Sequence, residues 1–274
     1  MTNICIITSG TENLNIVKLC QQLSIPYTVI VDSLFWPYQD KDTNQKTQRT
    51  EDIINYMKSQ WITHFICHPT IELALLENNK NRTDIIPLFT HYMNYCLNHS
   101  LIGKIWFVWW YSDISQIETL FQVIVKEYLP TDNQKNIKKF KLSKRTKDTS
   151  MRWYFSRLFS PKQMMINKII TTDLRYFKDA NIDTLIPLDY SYFNFQKTIT
   201  SFFNQKKQKF HKRDIVANIF ATTIEDNSII KKEPQERISI YSTWSLHFIQ
   251  DNKKWERLLS QWQQKTIEYK NITI

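Results

Sequence analysis

Glycine is almost missing from this chain. Two glycines, Gly10 and Gly103, stand in 274 residues, against the ~7% usual in globular proteins. Nucleotide sites that bring backbone against phosphate need glycines at fixed offsets. Neither the P-loop nor the Rossmann fingerprint occurs, so those two functions are excluded. Cysteine is sparse too. Cys5, Cys20, Cys67 and Cys96 are scattered with no CxxC pair, which argues against a structural zinc site and a disulfide scaffold. Long apolar runs are absent. The longest, Ile105-Trp106-Phe107-Val108-Trp109-Trp110-Tyr111, is far too short to span a bilayer. The residues after Met1 show no cationic segment followed by an apolar one. No signal peptide is in view and a cytoplasmic location is expected.

Hydrophobic residues make up 42% of the chain, as in a folded globular protein rather than a disordered one. The length suits one large domain or two small ones. Net charge is +10, and much of it is local. Residues 135–147 carry Lys135, Lys138, Lys139, Lys141, Lys144, Arg145 and Lys147 with no acid between, and Lys206, Lys207, Lys209, Lys212 and Arg213 form a second cluster. Such runs are solvated loops, or they attract an acidic protein, a nucleic acid or an anionic lipid surface. No DNA- or RNA-binding motif accompanies them.

Apolar runs alternate with amphipathic ones. Strands are expected at 4–7, 27–31 and 62–67, and helices at 12–23, 51–61 and from Thr70 onward. This βαβαβα order predicts an α/β fold with a mainly parallel sheet covered on both faces. The pattern then restarts. Helices are expected at 88–101, 114–128, 152–170, 173–180 and 195–203, and strands at 105–111, 182–188, 215–222 and 238–242, with Trp106, Trp109 and Trp110 packing a core. A last amphipathic helix at 253–262 closes the chain. Two similar halves would face one another across a cleft: residues 1–95 with 212–274 as one domain, and 96–211 as the other.

Cys67 is the residue best placed for chemistry. It ends the apolar run Ile62-Thr63-His64-Phe65-Ile66-Cys67, and His68-Pro69-Thr70 leads from it into a helical stretch. Open α/β sheets place ligands at the carboxyl ends of strands. A helix N-terminus just beyond would favour the thiolate. The alternative is an inert core cysteine.

The chain resembles the glutamate racemases of the aspartate/glutamate racemase superfamily over nearly its full length. Ile6-Ile7-Thr8-Ser9-Gly10-Thr11-Glu12-Asn13-Leu14 looks like the opening strand and its Asp-Ser-Gly-x-Gly-Gly-Leu loop. Trp36-Pro37-Tyr38-Gln39-Asp40-Lys41 is similar to Pro-Tyr-Gly-x-Lys. Phe65-Ile66-Cys67-His68-Pro69-Thr70 falls where the family has its first catalytic cysteine, and Ile182-Asp183-Thr184-Leu185-Ile186 resembles the strand leading to the second. Residues 238–244 resemble the last strand and its turn. The resemblance implies two pseudo-symmetric α/β domains, an active site between them, no cofactor and no metal. It implies a dicarboxylate amino-acid substrate, and a homodimer is frequent in the family. Inversion at Cα needs two acid–base groups, one on each face, and the family uses two cysteines.

The register continued from Ile182 puts Asp189 at the second cysteine and Ser191 at its assisting histidine, while Thr8 replaces the family's aspartate. The substrate-binding positions fall on Ser9, Pro37, Tyr38, His68, Thr70 and Tyr190. No cysteine follows Cys96, so no shift of alignment restores the pair. A single thiol cannot perform two-thiol racemisation. Asp189, as a carboxylate near its usual pKa of ~4, is a weak base toward an α-proton unless burial raises it. For Thr8 and Ser9, capping of the following helix competes with ligand contact; for Asp189 and Tyr190, an ordinary loop role competes with catalysis. Three functions follow. The first is a degenerate racemase-like pseudoenzyme that binds a protein or small carboxylate. The second is a working enzyme, either a racemase supplying D-glutamate for peptidoglycan or a one-cysteine isomerase or lyase. The third is a basic nucleic-acid- or gyrase-associated protein.

Overall fold

Two short runs with no charged residue, Ile-Cys-Ile-Ile-Thr and Tyr-Thr-Val-Ile-Val, form strands β1 (Ile4–Thr8) and β2 (Tyr27–Val31), and every residue of both is buried. Strands buried on both faces belong to parallel sheets with helices above and below. The computed structural model describes residues 4–8, 10, 13–35, 41–79, 82–100, 105–108, 168, 171–172, 174–175, 184–188, 190–203, 209–210, 218–223, 237–243 and 266–273.

β1 lies between β2 and β3 (His64–Ile66), with Ile4 opposite Tyr27 on one side and opposite His64 on the other. On the far side of β2 come two strands from the other end of the chain, β7 (Arg237–Ser242) and β8 (Thr266–Asn271). The five strands run in the order β3-β1-β2-β7-β8, all parallel. Helices α1 (Leu14–Gln22) and α2 (Thr43–Ser59) supply the crossovers and α3 (Pro69–Asn78) follows β3, so the expected βαβαβα order is found. One core packs Ile53, Ile54 and Met57 of α2 against Cys5, Ile7, Phe65 and Cys67.

The outer edge of β3 is covered. Phe65 donates its N–H to Asp84 O at 2.8 Å and accepts from Ile86 N at 2.9 Å. Arg82 grips Asp84 with two bonds of 2.8 and 2.7 Å and also pairs with Glu51 of α2, while Lys58 reaches Asp84 at 2.8 Å. The segment that caps the sheet edge is thereby fastened to α2.

A second parallel sheet has the order β4-β5-β6, from Ile105–Val108, Thr184–Pro187 and Lys209–Phe210. Ile105 pairs with Thr184, and Leu185 with Phe210. Helix α4 (Leu88–Asn98) precedes it, and a 3-10 turn (Tyr190–Phe195) and α5 (Gln196–Phe203) follow β5. The fold is thus α/β with parallel sheets. None of the described helices is long and apolar enough to cross a membrane.

Beyond shifts of one to three residues at element ends, the structure departs from the sequence reading in four places. α2 begins at Thr43 rather than at residue 51, because Asp42 caps it by accepting from Gln45 N at 2.9 Å. Its first two turns are polar, so no apolar period marks them. Residues 218–223 are helical, where a strand was expected at 215–222. Phe220 and Thr223, three apart, are the buried pair, and Thr223 Oγ1 donates back to Ile219 O at 2.7 Å. β6 lies inside the second basic cluster. The described chain ends in β8 and not in a helix; its Thr-Ile-Glu-Tyr-Lys-Asn sequence alternates polar and apolar residues, but it is an edge strand in which no residue is fully buried. The helices expected at 114–128 and 253–262, most of those at 152–170 and 173–180, and the basic stretch 135–147 lie outside the described residues.

α1 and α2 both end in Schellman turns. After α1, Ile25 N donates to Cys20 O at 2.9 Å and Ser24 N to Gln21 O at 3.2 Å; after α2, Ile62 N donates to Met57 O at 3.1 Å and Trp61 N to Lys58 O at 3.0 Å. Ser24 and Trp61 therefore adopt φ of 54° and 66°, a conformation that helix ends normally give to glycine.

Candidate functional site

The carboxyl ends of β1 and β3 lie side by side, because Ile6 is opposite Ile66. The same register brings Thr8 level with His68. Thr8 is buried, and its hydroxyl bonds the backbone of Gly10. Its bond belongs to the turn after β1 and is not a cap: the N-cap residue of α1 is Asn13, without a side-chain cap bond, so the capping expected of Thr8 is not found.

β3 hands the chain to α3 through Cys67 and His68. Pro69 sits at the start of the helix, where its missing N–H costs nothing. His68 caps it: Thr70 N–H donates to His68 Nδ1 at 3.4 Å, and Thr70 Oγ1 lies 3.0 Å from the same nitrogen. An accepting Nδ1 leaves the ring proton on Nε2. That Nε2 is buried without a hydrogen-bond partner. Burial, and then the Lys46 ammonium, push the imidazole pKa down to about 3, so His68 is neutral.

Cys67 is fully buried in the core that holds Cys5, Ile7 and Phe65. Burial first, then Glu72 and Cys5, raise its thiol well above the ordinary value. The expected help from the α3 N-terminus does not prevail, since the first N–H groups of that helix are turned to His68. Ile71 N and Glu72 N donate to His68 O at 2.9 Å each. Desolvation of a thiolate outweighs a terminus already satisfied.

Glu72 is a site residue that the sequence reading missed. It is the one acid in the buried stretch Ile71-Glu72-Leu73-Ala74-Leu75 and is itself fully buried. Its carboxylate accepts Phe89 N at 2.9 Å, Thr90 N at 2.7 Å and Thr90 Oγ1 at 2.9 Å. α4 has no side-chain cap from its own N-cap residue, Pro87, and Glu72 supplies one from α3. Burial pushes this carboxyl up to about 7 against the pull of those three bonds. A lone acid inside an apolar helical run was the available signal.

Tyr190 reaches this site from the other sheet. It follows β5 and is fully buried. Asn15 of α1 donates Nδ2 to its carbonyl at 2.8 Å. The ring meets Phe89 edge-on at 6.4 Å and lies over Phe193 at 6.3 Å. Its hydroxyl has no hydrogen-bond partner. Burial first, then the neighbouring Glu72 and Cys67, drive the phenol well above its ordinary value. The structure thus gathers Cys67, Glu72 and Tyr190, with His68 and Thr70 alongside at the start of α3. Ser9, Pro37, Tyr38 and Asp189 lie outside the described residues, as does the side chain of Ser191.

A second polar group closes the carboxyl ends of β2 and β7. Asp32 is fully buried and takes Arg49 Nε at 3.0 Å, Arg49 Nη2 at 2.8 Å and Thr243 Oγ1 at 2.7 Å. Ser33 Oγ lies 3.2 Å from Ser242 Oγ. The Asp32 carboxylate accepts all three of these bonds, so this group works as a fastening. Among the described residues no cluster of three or more His, Cys, Asp or Glu is placed to hold a metal ion.

Neither a protein-family model nor a curated protein sequence matches the chain. Solved structures do. Glutamate racemase isoform RacE1 from Bacillus anthracis superposes with a TM-score of 0.76 at 14% identity, covering 100% of this chain and 98% of that one. The Francisella tularensis glutamate racemase, solved with D-glutamate, gives 0.69 at 14% identity over 100% and 97%. The Escherichia coli enzyme, solved with L-glutamate and the activator UDP-MurNAc-ala, gives 0.67 at 9% identity over 100% and 99%. The chain has the fold of the glutamate racemases.

Proposed function

We propose that this protein is a binding protein on the glutamate racemase scaffold and does not carry out two-thiol racemisation. The observation that supports this is the state of Cys67. A thiol at its ordinary value near 9 is only about 1% ionised at neutral pH, and burial takes Cys67 further from ionisation. The opposing position reads as Asp189, and no cysteine follows Cys96. Loss of one member of a catalytic pair commonly removes several orders of magnitude in rate. The ligand is a small carboxylate, the class named for the Francisella and Escherichia racemases, or a protein. The same reading divides the chain into 1–95 with 212–274 and 96–211, and the membership of β7 and β8 in the first sheet supports that division.

Purified protein mixed with L- or D-glutamate in deuterated water provides the test. No deuterium enters Cα above the rate without protein, while calorimetry detects glutamate or a related dicarboxylate binding without turnover. Deuterium incorporation that disappears in Cys67→Ala would overturn the proposal and favour the working enzyme.

A further inference from the structure

The two edges of the five-stranded sheet are finished differently. The outer edge of β3 is covered by residues 84–86. At the opposite end β8 is last in the order, and among the described residues no strand pairs with its outer edge. No residue of β8 is buried. Ile272 N–H, just beyond the strand, donates to Ser242 O of β7 at 2.9 Å. Backbone groups of a strand point alternately to either side. Thr266, Glu268 and Lys270 therefore turn theirs toward β7, as Ile272 does. Ile267, Tyr269 and Asn271 turn theirs outward, and such a row is a template for a further strand.

Charge selects the strand that fits. Glu268 and Lys270 share one face of β8, their charged ends 3.8 Å apart, with side chains 33% and 50% exposed. A second copy of β8 can be laid antiparallel on the first, about a two-fold axis at Tyr269. Outward backbone then meets outward backbone: Tyr269 faces Tyr269, and Ile267 faces Asn271. The same register sets Glu268 of each copy directly opposite Lys270 of the other, at the positions where side chains approach most closely. An axis at Glu268 or at Lys270 sets like charges opposite instead, which is destabilising. A lysine on an edge strand normally repels other strands; here Glu268 removes that protection in one register alone.

We propose that the outer edge of β8 is an interface with a second copy of this chain, joined antiparallel about Tyr269 so that the two five-stranded sheets become one. The contact is isologous, so each charge pair occurs twice. It holds whatever the Cys67 site binds.

Sedimentation velocity of the full chain over a concentration series tests this. The wild type passes from monomer to dimer as concentration rises. Glu268→Lys and Lys270→Glu each raise the dissociation constant about tenfold or more, because both copies of the charge pair turn from attraction to repulsion. The double variant, Glu268→Lys with Lys270→Glu, returns to the wild-type constant, since the opposite charges again face one another. An equal mixture of the two single variants associates as the wild type does. A wild type that stays monomeric throughout overturns the proposal and leaves the edge to a strand of another protein. A dimer that neither single variant weakens, or that the double variant fails to restore, overturns it as well.

Discussion

Ser24 and Trp61 carry the cost of scarce glycine. Both hold the left-handed backbone that ends a helix in a Schellman turn. A side chain there clashes with the following carbonyl, at about 1 kcal/mol. Trp61 is 89% exposed, so packing returns little of that energy. Ser24→Gly and Trp61→Gly should each stabilise the protein by roughly 0.5–1 kcal/mol, net of the extra freedom glycine gives the unfolded chain. Urea midpoints measure it, and a midpoint that falls would show that the tryptophan makes contacts worth more than its strain. Neither turn was visible in the sequence. Without glycine at the stop position, a helix end has no mark that distinguishes it from more helix.

At the scale of elements, two helices are capped by titratable side chains that work against one another. Glu72 caps α4 from α3, and its carboxyl is held above its ordinary 4.5, at about 7. Its contribution to stability is therefore fully present below pH 4.5 and is lost as pH rises through 7. His68 caps α3, and its imidazole is held below its ordinary 6.5, at about 3. That contribution is present above pH 6.5 and is lost as pH falls toward 3. The windows overlap, so the wild type is flatter with pH than either variant. Relative to wild type, Glu72→Gln gains stability as pH rises from 4.5 to 7, by up to about 3 kcal/mol. His68→Gln loses ground over 3 to 6.5. Denaturant titrations across this range test both, and a Glu72→Gln difference that does not change with pH would remove Glu72 from the account.

These caps also show what was legible. β1 and β2 were readable because a run buried on both faces is apolar without interruption. The first two turns of α2 were not, since their anchor is one aspartate and their surface is polar. β8 was not, because its alternation is short, with Ile267 and Tyr269 as its two apolar residues, and no residue of the strand is buried. Cys67 could be named from the end of its strand, and His68 and Tyr190 from the resemblance of the loops that follow β3 and β5 to those of the glutamate racemases. Glu72 could not, because its meaning lies in Phe89 and Thr90, on a helix that only the fold brings near.

For the whole molecule, the fastening around Asp32 joins parts distant in sequence. Asp32 follows β2, Arg49 stands on α2 and Thr243 follows β7. Arg49→Ala leaves a buried carboxylate short of its cation and should cost about 3 kcal/mol or more. Thr243→Val removes one bond and should cost about 1–2 kcal/mol. Thermal unfolding of the two variants measures both losses, and an Arg49→Ala loss no greater than that of Thr243→Val would show that water reaches Asp32.

The strand order has a consequence for how the molecule is made. β2 pairs with β1 early in synthesis, but its other neighbour, β7, is translated on the order of 200 residues later. At ordinary elongation rates of roughly 5–20 residues per second, that edge stays open for some tens of seconds. During that time the nascent chain presents Tyr27-Thr28-Val29-Ile30-Val31 as an unpaired, apolar strand. A ribosome stalled before residue 237 therefore displays β2 with one edge still waiting for β7.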